Sequence, residues 1–230
     1  MKKATLVIAV LLLALARPAQ ADFVQTFNTG FQNGGVVPDG SLTGWSDTRN
    51  VTGAGGAITD VNVTLSLSGG WNGDLYAYLV HDSGFAVLLN RVGRTAANEP
   101  GYGTGGMNVT LDDTAALNIH SVSTPGTGTY QGDGRNLSPL SSGALFDATS
   151  PTALLSSFNG QNANGNWTLF IADVSGGGVS TVTSWGLDIA AVPEPASLIE
   201  GSVAVLFLGG VIGVYRLRTA RARPLPAATR

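Results

Sequence analysis

With 230 residues, 12 Lys and Arg against 15 Asp and Glu and a net charge of −3, the chain is long enough to bury a sizeable core and too acidic to coat nucleic acid. It contains no cysteine, which excludes disulfides and leaves core burial, a metal or a partner to stabilise the fold. Its 32 glycines, together with many Ser, Thr and Asn, suit short strands joined by turns.

Lys2 and Lys3 are followed by an apolar run from Ala4 to Ala16, then by Pro18 and Ala19-Gln20-Ala21. This is the layout of a secretory signal peptide over 1–21, with cleavage expected between Ala21 and Asp22. An N-terminal anchor is the competing reading, but the run is short for a span and Pro18 breaks it just before the Ala-x-Ala site.

A segment 22–35 then leads into a single predicted domain, 36–190. Val61, Val63, Leu65 and Leu67 share one face of a period-2 strand, and Asp60, Asn62, Thr64 and Ser66 share the other. A second strand is predicted over Leu75–Val80 and a third over Phe85–Leu89, with His81-Asp82-Ser83-Gly84 as the hairpin turn between them. A short strand begins near Asn108. Pro151–Ser157 is the one segment that suggests a helical turn. Trp167, Leu169 and Ile171 alternate with polar or smaller neighbours, the glycines 176–178 turn the chain, and Trp185, Leu187 and Ile189 define a last strand. Spaced short strands without amphipathic helices predict an all-β sandwich, with Trp167 and Trp185 in its core.

The motif order Val37-Pro38-Asp39, Ile58-Thr59-Asp60-Val61-Asn62-Val63, Gly73-Asp74-Leu75, Asp112-Asp113, Phe158-Asn159-Gly160, Asn164-Gly165-Asn166-Trp167-Thr168-Leu169, Asp173 and Ser184-Trp185 resembles the P domain, or Homo B domain, of proprotein convertases. The resemblance covers roughly Val36 to Ala190. It implies a jelly-roll-like β-sandwich of a kind that usually accompanies and stabilises a subtilisin-like protease domain, which is absent here. The chain departs from the family at His81-Asp82-Ser83-Gly84, where a Ser-Pro-Ser-Gly turn is usual.

A subtilisin-like triad needs a His to relay the serine proton, an Asp to orient it and a Ser in a Gly-rich turn. His81 and His120 are the available histidines, and neither has the neighbours of a catalytic one. Asp82-Ser83-Gly84 lies between two alternating strands, where a turn explains it. Gly101-Tyr102-Gly103-Thr104-Gly105-Gly106 has GxGxxG spacing but follows Pro100 and opens no helix, so it reads as a loop. Asp74, Asp112, Asp113 and Asp173 flank strands. Loops that bring them together make calcium a candidate cofactor, and solvated strand-end aspartates are the alternative. Trp71, Tyr76 and Tyr78 offer stacking surfaces for a sugar ring, or else pack on a core.

From 191 to 195 the chain is a linker in which Val192-Pro193-Glu194-Pro195 is held extended by its prolines. An apolar stretch over 196–215 follows, about 30 Å long as a helix and able to span a bilayer. The tail 216–230 places Arg216, Arg218, Arg221 and Arg223 on the cytoplasmic side. This three-part layout resembles the PEP-CTERM sorting signal of Gram-negative bacteria. The resemblance implies an exosortase that cuts near Pro-Glu-Pro and passes the protein to the cell surface or exopolysaccharide matrix, with the helix a transient membrane tether.

The sequence thus predicts an exported, non-enzymatic binding or structural protein whose partners are an exosortase and surface proteins or exopolysaccharide, not nucleic acid. The alternatives are an accessory chain for a separately encoded subtilisin-like serine protease, and an enzyme in its own right.

Overall fold

The computed structural model describes residues 21–192. The residues before Ala21 that read as a signal peptide, Pro193-Glu194-Pro195, the apolar stretch and the arginine cluster therefore lie outside the described residues. No helix among the described residues is long and apolar enough to cross a membrane.

Among the described residues nine strands follow in order: β1 (Ala21–Phe27), β2 (Ser41–Val51), β3 (Ala57–Gly69), β4 (Leu75–His81), β5 (Gly84–Asn90), β6 (Met107–Leu111), β7 (Thr127–Tyr130), β8 (Gly165–Asp173) and β9 (Ser180–Val192). They form a five-stranded sheet of order β1-β9-β3-β6-β7 and a four-stranded sheet of order β2-β8-β4-β5. Every pairing is antiparallel except β6 with β7. The described residues are all-β with little helix, as the strand patterns predict.

Period-2 alternation decides which face turns inward. Val63 and Leu65 of β3 and Trp185, Leu187 and Ile189 of β9 line the inner face of one sheet; Leu75, Ala77 and Leu79 of β4 and Trp167, Leu169 and Ile171 of β8 line that of the other. All belong to one buried cluster, so the two sheets share a core. Trp185 also spans it: the indole Nε1 donates to Asp47 Oδ2 on β2 at 2.7 Å, and its ring lies 4.6 Å from that of Phe27 on β1.

The β4–β5 hairpin forms where predicted, with Val80 opposite Phe85 and His81 opposite Gly84. Asp82 takes the left-handed conformation, φ 48°, that a two-residue turn requires and that Asp tolerates better than most residues. Three strands go beyond the sequence reading. β1 runs from Ala21, the last residue of the expected signal peptide, into the segment 22–35 expected to precede the domain, yet it pairs with β9 along its whole length, from Ala21 opposite Ala191 to Phe27 opposite Trp185. The edge strands β2 and β7 are mostly polar, so no apolar alternation marks them. The one α-helix among the described residues, α1 (Gly143–Ala148), precedes the predicted helical turn, where the chain makes a 3₁₀ turn over Leu155–Phe158.

Trp185 is fully buried and Trp71 is 51% exposed. Trp185→Ala is expected to cost about 3–5 kcal/mol in urea unfolding by leaving a large core cavity. Trp71→Ala should stay within about 0.5 kcal/mol of the parent. Equal costs would contradict this assignment of core and surface.

Candidate functional site

One end of the four-stranded sheet carries a cleft of ≈ 270 Å³ lined by His81, Asp82, Asn162, Asn164, Gly165 and Asn166. Its parts come from the end of β4 and the β4–β5 turn, and from the loop entering β8 with the first two residues of that strand, which the β4–β8 register holds side by side through His81 opposite Trp167. His81 is buried and stacked flat on Trp167, with centroids 4.0 Å apart and planes 1° apart. Its Nδ1 lies 3.0 Å from the Asn166 carbonyl and its Nε2 2.7 Å from the Asn162 carbonyl. A Cβ on Gly165 would sit 3.3 Å from His81 Cε1, and Gly165 has φ 131°, so glycine fits this position best.

His120 is likewise engaged on both sides. Its Nδ1 lies 2.6 Å from Asp133 Oδ2 and its Nε2 3.0 Å from the Arg94 carbonyl, while Arg135 Nη1 donates to Asp133 Oδ1 at 3.2 Å. The ring stacks against Phe146, 5.8 Å away. The His120–Asp133 pair has the form of the base-and-orienter half of a triad. No sequence motif announces it, because the two residues meet through irregular loops. Both rings have both nitrogens facing oxygen acceptors of the fold, so neither directs a lone pair at a serine hydroxyl.

At the other end of the same sheet, Asp74 precedes β4 and Asp173 ends β8, with Leu75 opposite Asp173. Both aspartates are buried. Arg91, also buried and with a left-handed backbone of φ 50°, brings Nη2 to 3.6 Å from Asp74 Oδ1 and donates from Nε to the Gly73 carbonyl. Exposed Asp39 accepts the Gly177 N–H on both carboxylate oxygens, at 3.1 and 3.2 Å. Asp173 Oδ1 accepts the Ser175 N–H at 3.3 Å, and its Oδ2 is buried with no hydrogen-bond partner among the described residues. Burial, reinforced by the charges of Asp74 and Asp39, pushes the Asp173 carboxyl up to about 6. Asp74 is also raised by burial, against the opposing charge of Arg91.

Asp112 and Asp113 belong elsewhere, just beyond β6 in the five-stranded sheet. Asp112 Oδ1 accepts from the Thr114 N–H at 2.7 Å and its hydroxyl at 2.8 Å. Asp113 accepts the N–H groups of Leu155 and Ser156, at 3.2 and 2.8 Å. Asp60, raised by burial, is raised further by the charges of both. The four aspartates considered as one calcium set thus divide into two groups. Among the described residues no group of three or more His, Cys, Asp or Glu side chains is arranged to hold a metal. Position at a strand end does not say which sheet, or which end of it, a carboxylate joins.

The aromatic candidates also separate. Trp71 is exposed beside the glycine turn 176–178, while Tyr76 and Tyr78 are half-buried on the outer face of β4, where Tyr78 stacks on Phe170 at 4.7 Å.

A carboxyl whose folded pKa lies above its unfolded value adds stability that is fully present below the unfolded value and is lost as pH rises through the folded one. Asp173 therefore favours the fold near pH 4 and loses that contribution as pH rises through about 6. Asp173→Asn keeps the acceptor for Ser175 and replaces the unpartnered oxygen by a neutral donor. It is expected to raise the melting temperature by several degrees at pH 7.5 and to flatten its rise on acidification to pH 5. Calcium and chelator should leave the parent melting temperature unchanged. An unaltered pH profile in the variant, or a calcium-dependent shift, would contradict this account of the acidic end.

No family model matches the chain, and no curated protein matches it. Among solved structures it is similar to the serine protease of Aeromonas sobria, determined in a complex with the chaperone and by itself, at 17% and 16% identity and a TM-score of 0.43 in both. The match covers 80% of this chain and 29% of the protease chain, so the chain spans less than a third of the length of that protein.

Proposed function

We propose that the chain is an exported binding or structural module with a jelly-roll-like, P-domain type of sandwich, sorted by a PEP-CTERM signal to the cell surface or exopolysaccharide matrix. In this reading the stretch 196–215 is a transient tether, an exosortase reads Pro193-Glu194-Pro195, and the domain binds surface components without hydrolysing them. One observation supports it above the others: β1 and β9, which lie nearest the two processing points read from the sequence, pair with each other from Ala21 opposite Ala191 to Phe27 opposite Trp185, so the interval between those points closes on itself as one sandwich. The absence of lysine between Asp22 and Val192 turns the domain away from polyanions and toward neutral or protein partners.

The second reading is an accessory chain that stabilises a separate subtilisin-like serine protease. The P-domain-like motifs favour it, because they fall on the core strands that give the domain its shape: Ile58–Val63 in β3, Trp167–Leu169 in β8 and Trp185 in β9.

Glu194→Ala removes the one charged element of the tripeptide and leaves the apolar stretch and arginines intact. The variant is expected to be exported but held in the inner membrane, while parent protein at the surface has lost the segment beyond the tripeptide, as read by fractionation and intact mass. Surface protein that still runs to Arg230, or normal processing of the variant, would make the helix a permanent anchor. Pull-down from native envelope separates the two roles: recovered matrix polysaccharide or surface proteins favour the binding module, and a recovered protease favours the accessory chain.

A further inference from the structure

We infer that the cleft between the β4–β5 turn and the loop entering β8 binds the terminal ring of a neutral glycan through amide N–H groups on one side and the Asp82 carboxylate on the other. This rests on the reading of the chain as a surface-binding module and gives that reading a site and a ligand class.

The inference follows from which hydrogen-bonding groups the fold has already engaged. Asn162 Oδ1 accepts from both the backbone N–H and the Nδ2 of Asn164, at 3.0 and 3.2 Å. Asn164 Oδ1 accepts the Ala54 N–H at 3.0 Å, and Asn166 Oδ1 accepts from Asn50 Nδ2 at 2.8 Å. Each amide oxygen in the lining is therefore engaged inside the protein. What Asn162 and Asn166, both exposed, retain for a ligand is their –NH₂ groups, which only donate. Asp82, exposed on the turn, supplies the complementary acceptor.

A cleft with donors facing a carboxylate matches a hydroxyl pair, in which one oxygen accepts from an amide and its neighbour donates to the carboxylate. A sugar ring presents such pairs around its rim. Phosphate, sulfate and uronic acids do not match, because the lining contains no Lys or Arg and Asp82 repels anions. A cation does not match either, since Asp82 is the sole carboxylate in the lining and the amide oxygens are occupied. The volume, ≈ 270 Å³, lies just below the roughly 300–1,000 Å³ of sites for drug-sized molecules, so it suits one ring rather than a run of them.

The site is also preorganised. Its floor is the His81 ring, fixed by two carbonyls and by Trp167, and its walls stand on β4 and β8, paired from Leu75–Asp173 to His81–Trp167. Little ordering is left for binding to oppose.

The test uses the detergent-solubilised full chain on an array of immobilised glycans ending in neutral hexoses or N-acetylhexosamines, with uronic-acid-ended and sialylated glycans alongside. The expected result is binding to at least one neutral-ended glycan, unchanged by EDTA. Asn166→Ala and Asp82→Asn should each weaken it about tenfold, the effect of one lost hydrogen bond with a group left unpaired. Asn keeps the left-handed turn at 82, so Asp82→Asn retains the parent melting temperature and tests the carboxylate alone. Glycan binding that both variants retain in full would overturn this cleft as the site and leave the surface-binding role standing. Preference for acidic glycans, loss of binding in EDTA, or no glycan binding by the parent chain would overturn the inference. Failure of the surface-sorting reading is seen separately, in the fractionation of the Glu194→Ala variant.

Discussion

The fold depends on Trp185. It stands on the last strand, β9, which lies between β1 and β3, and its indole crosses the core to hydrogen-bond Asp47 on β2 of the opposite sheet. A large apolar ring with one polar edge can fill the core and still donate to the carboxylate, which an aliphatic side chain of similar reach would leave without this partner. Asp47 is held in turn by Arg49, whose Nε donates to the same oxygen at 2.7 Å and whose guanidinium lies over the rings of Phe27 and Phe31. The first strand, the last strand and an edge strand of the second sheet therefore meet at one side chain. Since β9 comes last and sits inside its sheet, neither β1 nor β3 completes its pairing until the end of the domain has been made.

Where burial is periodic, the sequence reads through to the structure. Val61, Val63, Leu65 and Leu67 announce β3 because each alternate side chain enters the core, and β4, β8 and β9 announce themselves in the same way. β2 and β7 do not. In β2 the inward positions Asp47 and Arg49 are themselves polar, Asp47 bonded to both Trp185 and Arg49, while Ser46, Thr48 and Asn50 are exposed, so neither face of this edge strand prints an apolar alternation. The short helix α1 and the segment after it are as hard to read, since they bury single side chains such as Phe146 without a regular period and reach β5 through backbone contacts such as Val87 N–H to the Ala153 carbonyl.

The site was legible in fragments. The turn His81-Asp82-Ser83-Gly84 stands out as a turn, and Asn164-Gly165-Asn166-Trp167 as the approach to a strand, but that the two face each other follows from the β4–β8 register, which the sequence does not print. The aspartates show the reverse case. Their abundance near strand ends suggests convergence, yet the topology sends Asp74 and Asp173 to one end of one sheet and Asp112 and Asp113 to the margin of the other. Carboxylate chemistry can be read from composition; which carboxylates meet is decided by strand order.

The cleft lies at the same end of the domain as the final strand's exit. Asn162 forms a backbone bridge to Ala57, and Ala57 is opposite Val192. A molecule seated in the cleft and a load applied through the chain at Val192 would thus be joined by two adjacent backbone rungs, with most of both sheets, the acidic end included, off the line of force. Mechanically the domain is a clasp and not a strut: tension would pass across one corner of it, and the sandwich behind that corner would serve to keep the corner stiff.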